Sequence, residues 1–101
     1  MATVWVVQES GRFDLSPAQQ FGDIKVILPP GDTNFSYEFT SQKIEQALDA
    51  AKPGDYLLLT GDPVAIGITT VLMYTKDLGP LKFLKWLPRE LRYLPVTVDL
   101  N

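Results

Sequence analysis

The run Asp55-Tyr56-Leu57-Leu58-Leu59-Thr60-Gly61-Asp62-Pro63-Val64-Ala65-Ile66-Gly67 says what kind of protein this is. Residues 55–60 form a short apolar stretch, suited to a strand in the middle of a sheet. Gly61 turns the chain. Asp62 then stands where a helix N-cap belongs and Pro63 at the first helical position, a strong start signal. The helix is predicted from Pro63 to about Lys76, although Val64, Ile66, Ile68, Thr69, Thr70 and Val71 are β-branched and lean towards strand. Val64, Ile68, Val71, Leu72 and Thr75 share one face and are expected to point inward. Gly67 is expected to let the helix approach the sheet.

Upstream, residues 40–52 give the clearest helical pattern. Ile44, Ala47, Leu48 and Ala51 make one apolar stripe. Thr40 reads as the N-cap, Phe39 and Ile44 as a hydrophobic staple, and Pro53-Gly54 as the stop. The preceding loop carries Phe35, Tyr37 and Phe39, an aromatic content that predicts packing onto the body. Earlier still, residues 2–8 (ATVWVVQ) and 24–28 (IKVIL) read as strands. Between them lies a polar, turn-rich segment with Phe13, Leu15 and Phe21 as anchors.

Downstream, residues 81–86 (LKFLKW) and 93–100 (YLPVTVDL) flank a turn around Pro88-Arg89-Glu90 and read as a hairpin. Leu94, Val96, Val98 and Leu100 alternate with Tyr93, Pro95, Thr97 and Asp99, which predicts a buried face and an open one. Pro95 lacks an N–H and belongs on an edge strand. The order is therefore ββαβαββ. The fold class is α+β: one mixed sheet of about five strands, two helices on one face, and a C-terminal hairpin. At 101 residues the chain reads as a single domain, residues 1–101.

Composition narrows the function. The hydrophobic and charged fractions, 46% and 21%, are those of a globular protein. No apolar run approaches the roughly 18 residues that span a bilayer. The first residues lack a basic stretch and read as strand rather than signal peptide. There is no Cys, as suits a reducing, cytoplasmic setting. There is also no His. Without either, zinc fingers, Cys–His dyads, Ser–His–Asp triads and imidazole bases are excluded. No catalytic residue, metal site or cofactor is assigned, and the chain is not expected to be an enzyme. The scattered aspartates fall mostly at turns, where Asp needs no chemistry to explain it.

Three surfaces are candidates. Trp86, Leu87, Arg89, Leu91 and Tyr93 cluster at the last turn, an apolar patch with an Arg rim of the kind that binds protein. The competing reading is that Leu87 and Leu91 fold back onto the core. The same hairpin belongs to a basic half. Residues 1–62 hold four basic and nine acidic side chains, a net −5; residues 63–101 hold five and three, a net +2. Lys76, Lys82, Lys85, Arg89 and Arg92, interleaved with Trp86 and Tyr93, could grip single-stranded nucleic acid. Lysines on an edge hairpin also serve simply to block edge pairing. Alternation puts Lys82 with Leu84 and Trp86, and Lys85 with Phe83 on the opposite face. Gly61 and Asp62, at a strand-to-helix turn, could offer backbone N–H groups to an anion or nucleotide. The competing reading is that Asp62 caps those same groups. The phosphate-loop and dinucleotide patterns are absent.

The segment from Gly54 to Gly67, residues 81–86, and Arg92-Tyr93-Leu94-Pro95-Val96-Thr97-Val98-Asp99-Leu100 resemble small uncharacterised accessory proteins of tailed bacteriophages. That resemblance implies expression in a bacterial cytoplasm and transfers no functional residue. Leu59-Thr60-Gly61-Asp62-Pro63 is also similar to the cofactor loop of tetrapyrrole methylases. Those enzymes are far longer and nothing else here matches them, so no cofactor follows. The resulting expectation is a non-enzymatic phage accessory protein that binds a host or phage protein. Nucleic-acid or small-anion binding are the alternatives, and the open strand edges leave room for a homodimer.

Overall fold

The computed structural model describes residues 1–11, 14–31 and 37–100. In chain order it contains β1 (Thr3–Gln8), a 3-10 helix (Ser16–Phe21), β2 (Asp23–Leu28), α1 (Tyr37–Leu48), β3 (Tyr56–Leu58), α2 (Pro63–Thr75), β4 (Leu81–Leu87) and β5 (Arg92–Val98). The five strands form one mixed sheet in the order β2-β1-β3-β4-β5. The first four are parallel, and β5 closes antiparallel on β4. The α+β class, the ββαβαββ order and the terminal hairpin are as the sequence predicts, and β5 is an edge strand.

Alternation sorts each strand into two cores. Trp5 and Val7 of β1, Ile27 of β2, Leu57 of β3 and Leu81 of β4 face the helices. There they meet Ile44 and Leu48 of α1 and Ala65 and Met73 of α2, so both helices lie on one face as expected. Val4, Val6, Leu58, Leu84 and Tyr93 face the other way, where Ala18 of the 3-10 helix, Leu15 and Phe21 cover them. Leu15 and Phe21 are thus the anchors the sequence suggests; Phe13 lies outside the described residues. Full burial of an aliphatic or aromatic side chain is worth about 1.5–3 kcal/mol, so this second core is substantial.

The buried carboxylate of Asp55 ties the start of β3 to β1. It accepts from the Thr3 N–H, the Trp5 Nε1–H and the Lys52 N–H, each at 2.9 Å. At the other end of these strands the Gln8 side chain is 4% exposed. Its amide donates to the Pro29 and Gly31 carbonyls (3.2 and 2.8 Å), and its Oε1 accepts from the Asp62 N–H (2.8 Å).

Four expectations are corrected. First, α1 begins at Tyr37, so Thr40 is a buried interior residue, not the cap. Phe39 then falls inside the first turn of α1 rather than before it, and is 66% exposed instead of stapled. The earlier start turns Tyr37 inward, where its hydroxyl donates to Asp62 Oδ2 at 2.9 Å. Phe35 lies outside the described residues. Second, β3 stops at Leu58, because the Thr60 N–H turns back to the Leu58 carbonyl.

Third, α2 has the predicted Asp62 cap and Pro63 start but its buried face is rotated about the helix, so that of the expected face only Ile68 and Leu72 pack against the core. Ala65, Thr69 and Met73 are buried, while Val64 and Val71 are exposed and Gly67 faces open space. Small side chains let the helix sit close on the sheet, and the Thr69 hydroxyl is satisfied by the Ala65 carbonyl at 2.7 Å. Fourth, β5 departs from the expected alternation at its start. Tyr93 is 2% exposed and Leu94 is 36% exposed, since the 3-10 helix covers Tyr93. Further along, Val96 and Val98 are half-buried and Pro95 and Thr97 exposed, as expected.

Candidate functional site: the tip of the terminal hairpin

β4 and β5 pair from Leu81↔Val98 to Leu87↔Arg92. Residues 88–91 then make a tight turn. The Glu90 and Leu91 N–H groups both donate to the Leu87 carbonyl, at 3.1 and 2.8 Å. To re-enter the strand the chain must pass through a left-handed conformation, and the residue that does so is Leu91, at φ +53°. Such a position normally takes Gly or Asn. Leu91 is also 71% exposed. A leucine here is therefore unfavourable both for backbone and for solvation.

Behind the tip, Trp86 and Tyr93 sit directly opposite each other across the two strands, ring centroids 4.8 Å apart and tilted by 55°. Tyr93 is enclosed, and its hydroxyl donates to the Asp14 carbonyl at 3.2 Å. Burial, with the Asp14 charge nearby, pushes the Tyr93 phenol above its ordinary range. Asp14 itself is held below the usual carboxylate range by hydrogen bonds from Ser16.

Of the five residues that the sequence groups as a binding patch, the structure presents Leu91 and Arg89 fully and Leu87 and Trp86 in part. Tyr93 is corrected: it is the pedestal under Trp86 and offers no surface. Beside the tip on the helix side lies an open apolar groove of about 540 Å³. Leu59, Phe83, Lys85, Trp86, Pro88 and Val96 line it. The sequence reading missed Leu59, Phe83 and Val96, because it counted Leu59 within a central strand and Val96 on a covered face.

The basic side chains do not gather. Lys82 lies against the Tyr56 ring at 5.5 Å, and Lys85 is on the opposite face. Lys76 pairs with Asp49 and Arg92 with Glu90, each at 3.1 Å. Among the described residues no continuous cationic track joins them to Trp86.

The strand-to-helix turn is also spoken for. Gly61 has φ +106°, and any side chain there would collide with Gln8. Gln8 holds the Asp62 N–H, and the Asp62 carboxylate accepts from the Val64 N–H (3.4 Å) and the Tyr37 hydroxyl. The Asp62 and Val64 amides, which an anion would need, already have partners. Gln8, the residue that closes this crevice, escapes the sequence reading because nothing in one dimension places it beside Gly61. Among the described residues no group of three or more acidic side chains could hold a metal ion, and no helix is long and apolar enough to cross a membrane.

No curated protein and no solved structure matches the chain. One family model does, over residues 2–100, and its description is Phage Pam3 gp32-like protein. The likeness to small phage proteins read from residues 54–67, 81–86 and 92–100 holds over nearly the whole length: the chain belongs to the Phage Pam3 gp32-like protein family.

Proposed function

We propose that this protein is a non-enzymatic phage accessory factor that binds another protein, of host or phage, through the tip of its terminal hairpin. It acts in the cytoplasm of the infected bacterium. The observation that carries this reading is Leu91. An exposed aliphatic side chain in a left-handed turn has two costs that a glycine would avoid, and strain of this kind collects at functional sites. The turn is held by two hydrogen bonds to the Leu87 carbonyl, so the leucine is presented with little further loss of entropy on binding. Arg89 beside it supplies the rim, and Trp86 on its Tyr93 pedestal supplies a fixed aromatic edge. Aromatic and Arg residues around one apolar anchor are the usual composition of an interface centre.

The test is affinity capture of the tagged protein from nuclease-treated host and infected lysates, read by mass spectrometry. One stoichiometric partner is expected with the native chain. Leu91→Gly and Arg89→Ala should each weaken that partner's affinity by about thirtyfold, the equivalent of a 2 kcal/mol hot spot. Leu91→Gly should leave folding intact or improve it, since glycine adopts the turn freely. Undiminished capture by both variants would remove the tip from the function.

A further inference from the structure

The helix face of the sheet is covered over only part of its width. α1 and α2 pack on β2, β1, β3 and the start of β4, where Leu81 is buried and Phe83 is partly covered. Beyond them this face is open along β4 and β5, where Leu59, Phe83 and Val96 line the groove and Leu94 is 36% exposed. The uncovered width is two strands, about 10 Å at the usual spacing. A helix with its side chains is about 10–12 Å across. The opening has room for one helix.

α2 is a helix with an unmatched apolar side. None of its 13 residues is charged. A helix apolar all round is normally buried all round, yet Val64, Val71 and Tyr74 are 49%, 62% and 50% exposed. With Gly67 they fall at i, i+3, i+7 and i+10, one stripe along the helix, and among the described residues nothing lies within 4 Å of a side chain placed at Gly67. The missing helix and the unmatched helix are on the same face of the same molecule.

We propose that two copies of this chain pair about a two-fold axis, the outer stripe of α2 in each seated in the groove of the other. Each copy supplies both halves of the contact, so the arrangement closes at two. Charge favours this face for self-association. The chain carries a net −3, and identical molecules meeting across an uncharged helix oppose no like charges there. Lys85 at the groove can lie along its apolar stem with its ammonium in water. The β5 edge is a poorer alternative, because Pro95 in the middle of that strand has no N–H to offer. The contact meets the hairpin tip at Trp86 and Pro88, which line the groove, and leaves Leu91 and Arg89 outside it.

Sedimentation of the native chain should show twice the chain mass at micromolar concentration. Val71→Glu and Leu94→Lys, both at exposed positions, should each weaken self-association about 100-fold by burying an unpaired charge. Their far-ultraviolet circular dichroism and melting points should match the native chain. The double variant should recover the dimer, because the carboxylate introduced at position 71 of one copy then faces the ammonium introduced at position 94 of the other. A monomer at about 100 μM would overturn the proposal, as would a dimer that survives either single substitution or a double variant without recovery. Capture of the partner through the hairpin tip should persist in Val71→Glu and be lost in Leu91→Gly, so the two readings fail separately.

Discussion

Asp55 shows how one buried side chain can outweigh many surface ones. Three N–H groups from two separate segments converge on its carboxylate. Asp55→Ala would strand all three and should cost about 3 kcal/mol or more in urea denaturation. Asp55→Asn should do little better, because its NH2 group would face donors. Tyr93 sets a pH dependence. Its phenol is neutral and enclosed, and its folded pKa is raised by burial and by Asp14. The unfolded chain therefore ionises first, from about pH 10. The stability contributed by this residue is complete below that pH and is lost as pH rises towards the folded pKa. Tyr93→Phe should be less stable at neutral pH by about 1 kcal/mol, through the lost bond to the Asp14 carbonyl. Its denaturation midpoint should fall less steeply than the native one between about pH 9 and about pH 11.

At the scale of elements, the hairpin and α2 both depart from local preference. The turn at residues 88–91 places a leucine where glycine is the unstrained choice. Leu91→Gly should hold the midpoint of unfolding or raise it, by up to about 1 kcal/mol. A fall beyond that would mean that Leu91 packs against the body and is structural. α2 was legible as a helix from Asp62-Pro63 alone, against seven β-branched residues, because a satisfied N-terminus and a place between two parallel strands override side-chain propensity. Its orientation was not legible. Periodicity picks a stripe of large side chains, and here that stripe lies on the flank, with Ile68 and Leu72 against the core and Val64 and Val71 outside. The close approach of helix to sheet selects Ala65 and Thr69 instead.

The whole molecule is a sheet shared by two cores, with one tryptophan in each: Trp5 among the helices and Trp86 beside the 3-10 helix. Single-tryptophan variants, Trp86→Phe and Trp5→Phe, therefore report on the two faces separately. Within each variant the fluorescence transition should coincide in midpoint and slope with the far-ultraviolet circular dichroism transition, as a shared sheet requires of a two-state domain, although Trp5→Phe lowers the midpoint by removing the bond to Asp55. Separated transitions would show that the segment from Asp14 to Phe21 melts on its own. Element type, chain order and the edge position of β5 could all be read from the one-dimensional chain. They follow from short-range physics: β-branched runs, a capped helix start, and a proline that cannot donate a ladder bond. The exclusion of imidazole and thiolate chemistry could be read there too, since it needs only composition. Sidedness could not, and it emerged only from the folded arrangement. Tyr93 in and Leu94 out, Gln8 closing the crevice at Gly61, and Val71 in solvent all depend on which element covers which face. That is set by how many helices the chain has for the width of sheet it builds, and no local pattern encodes it.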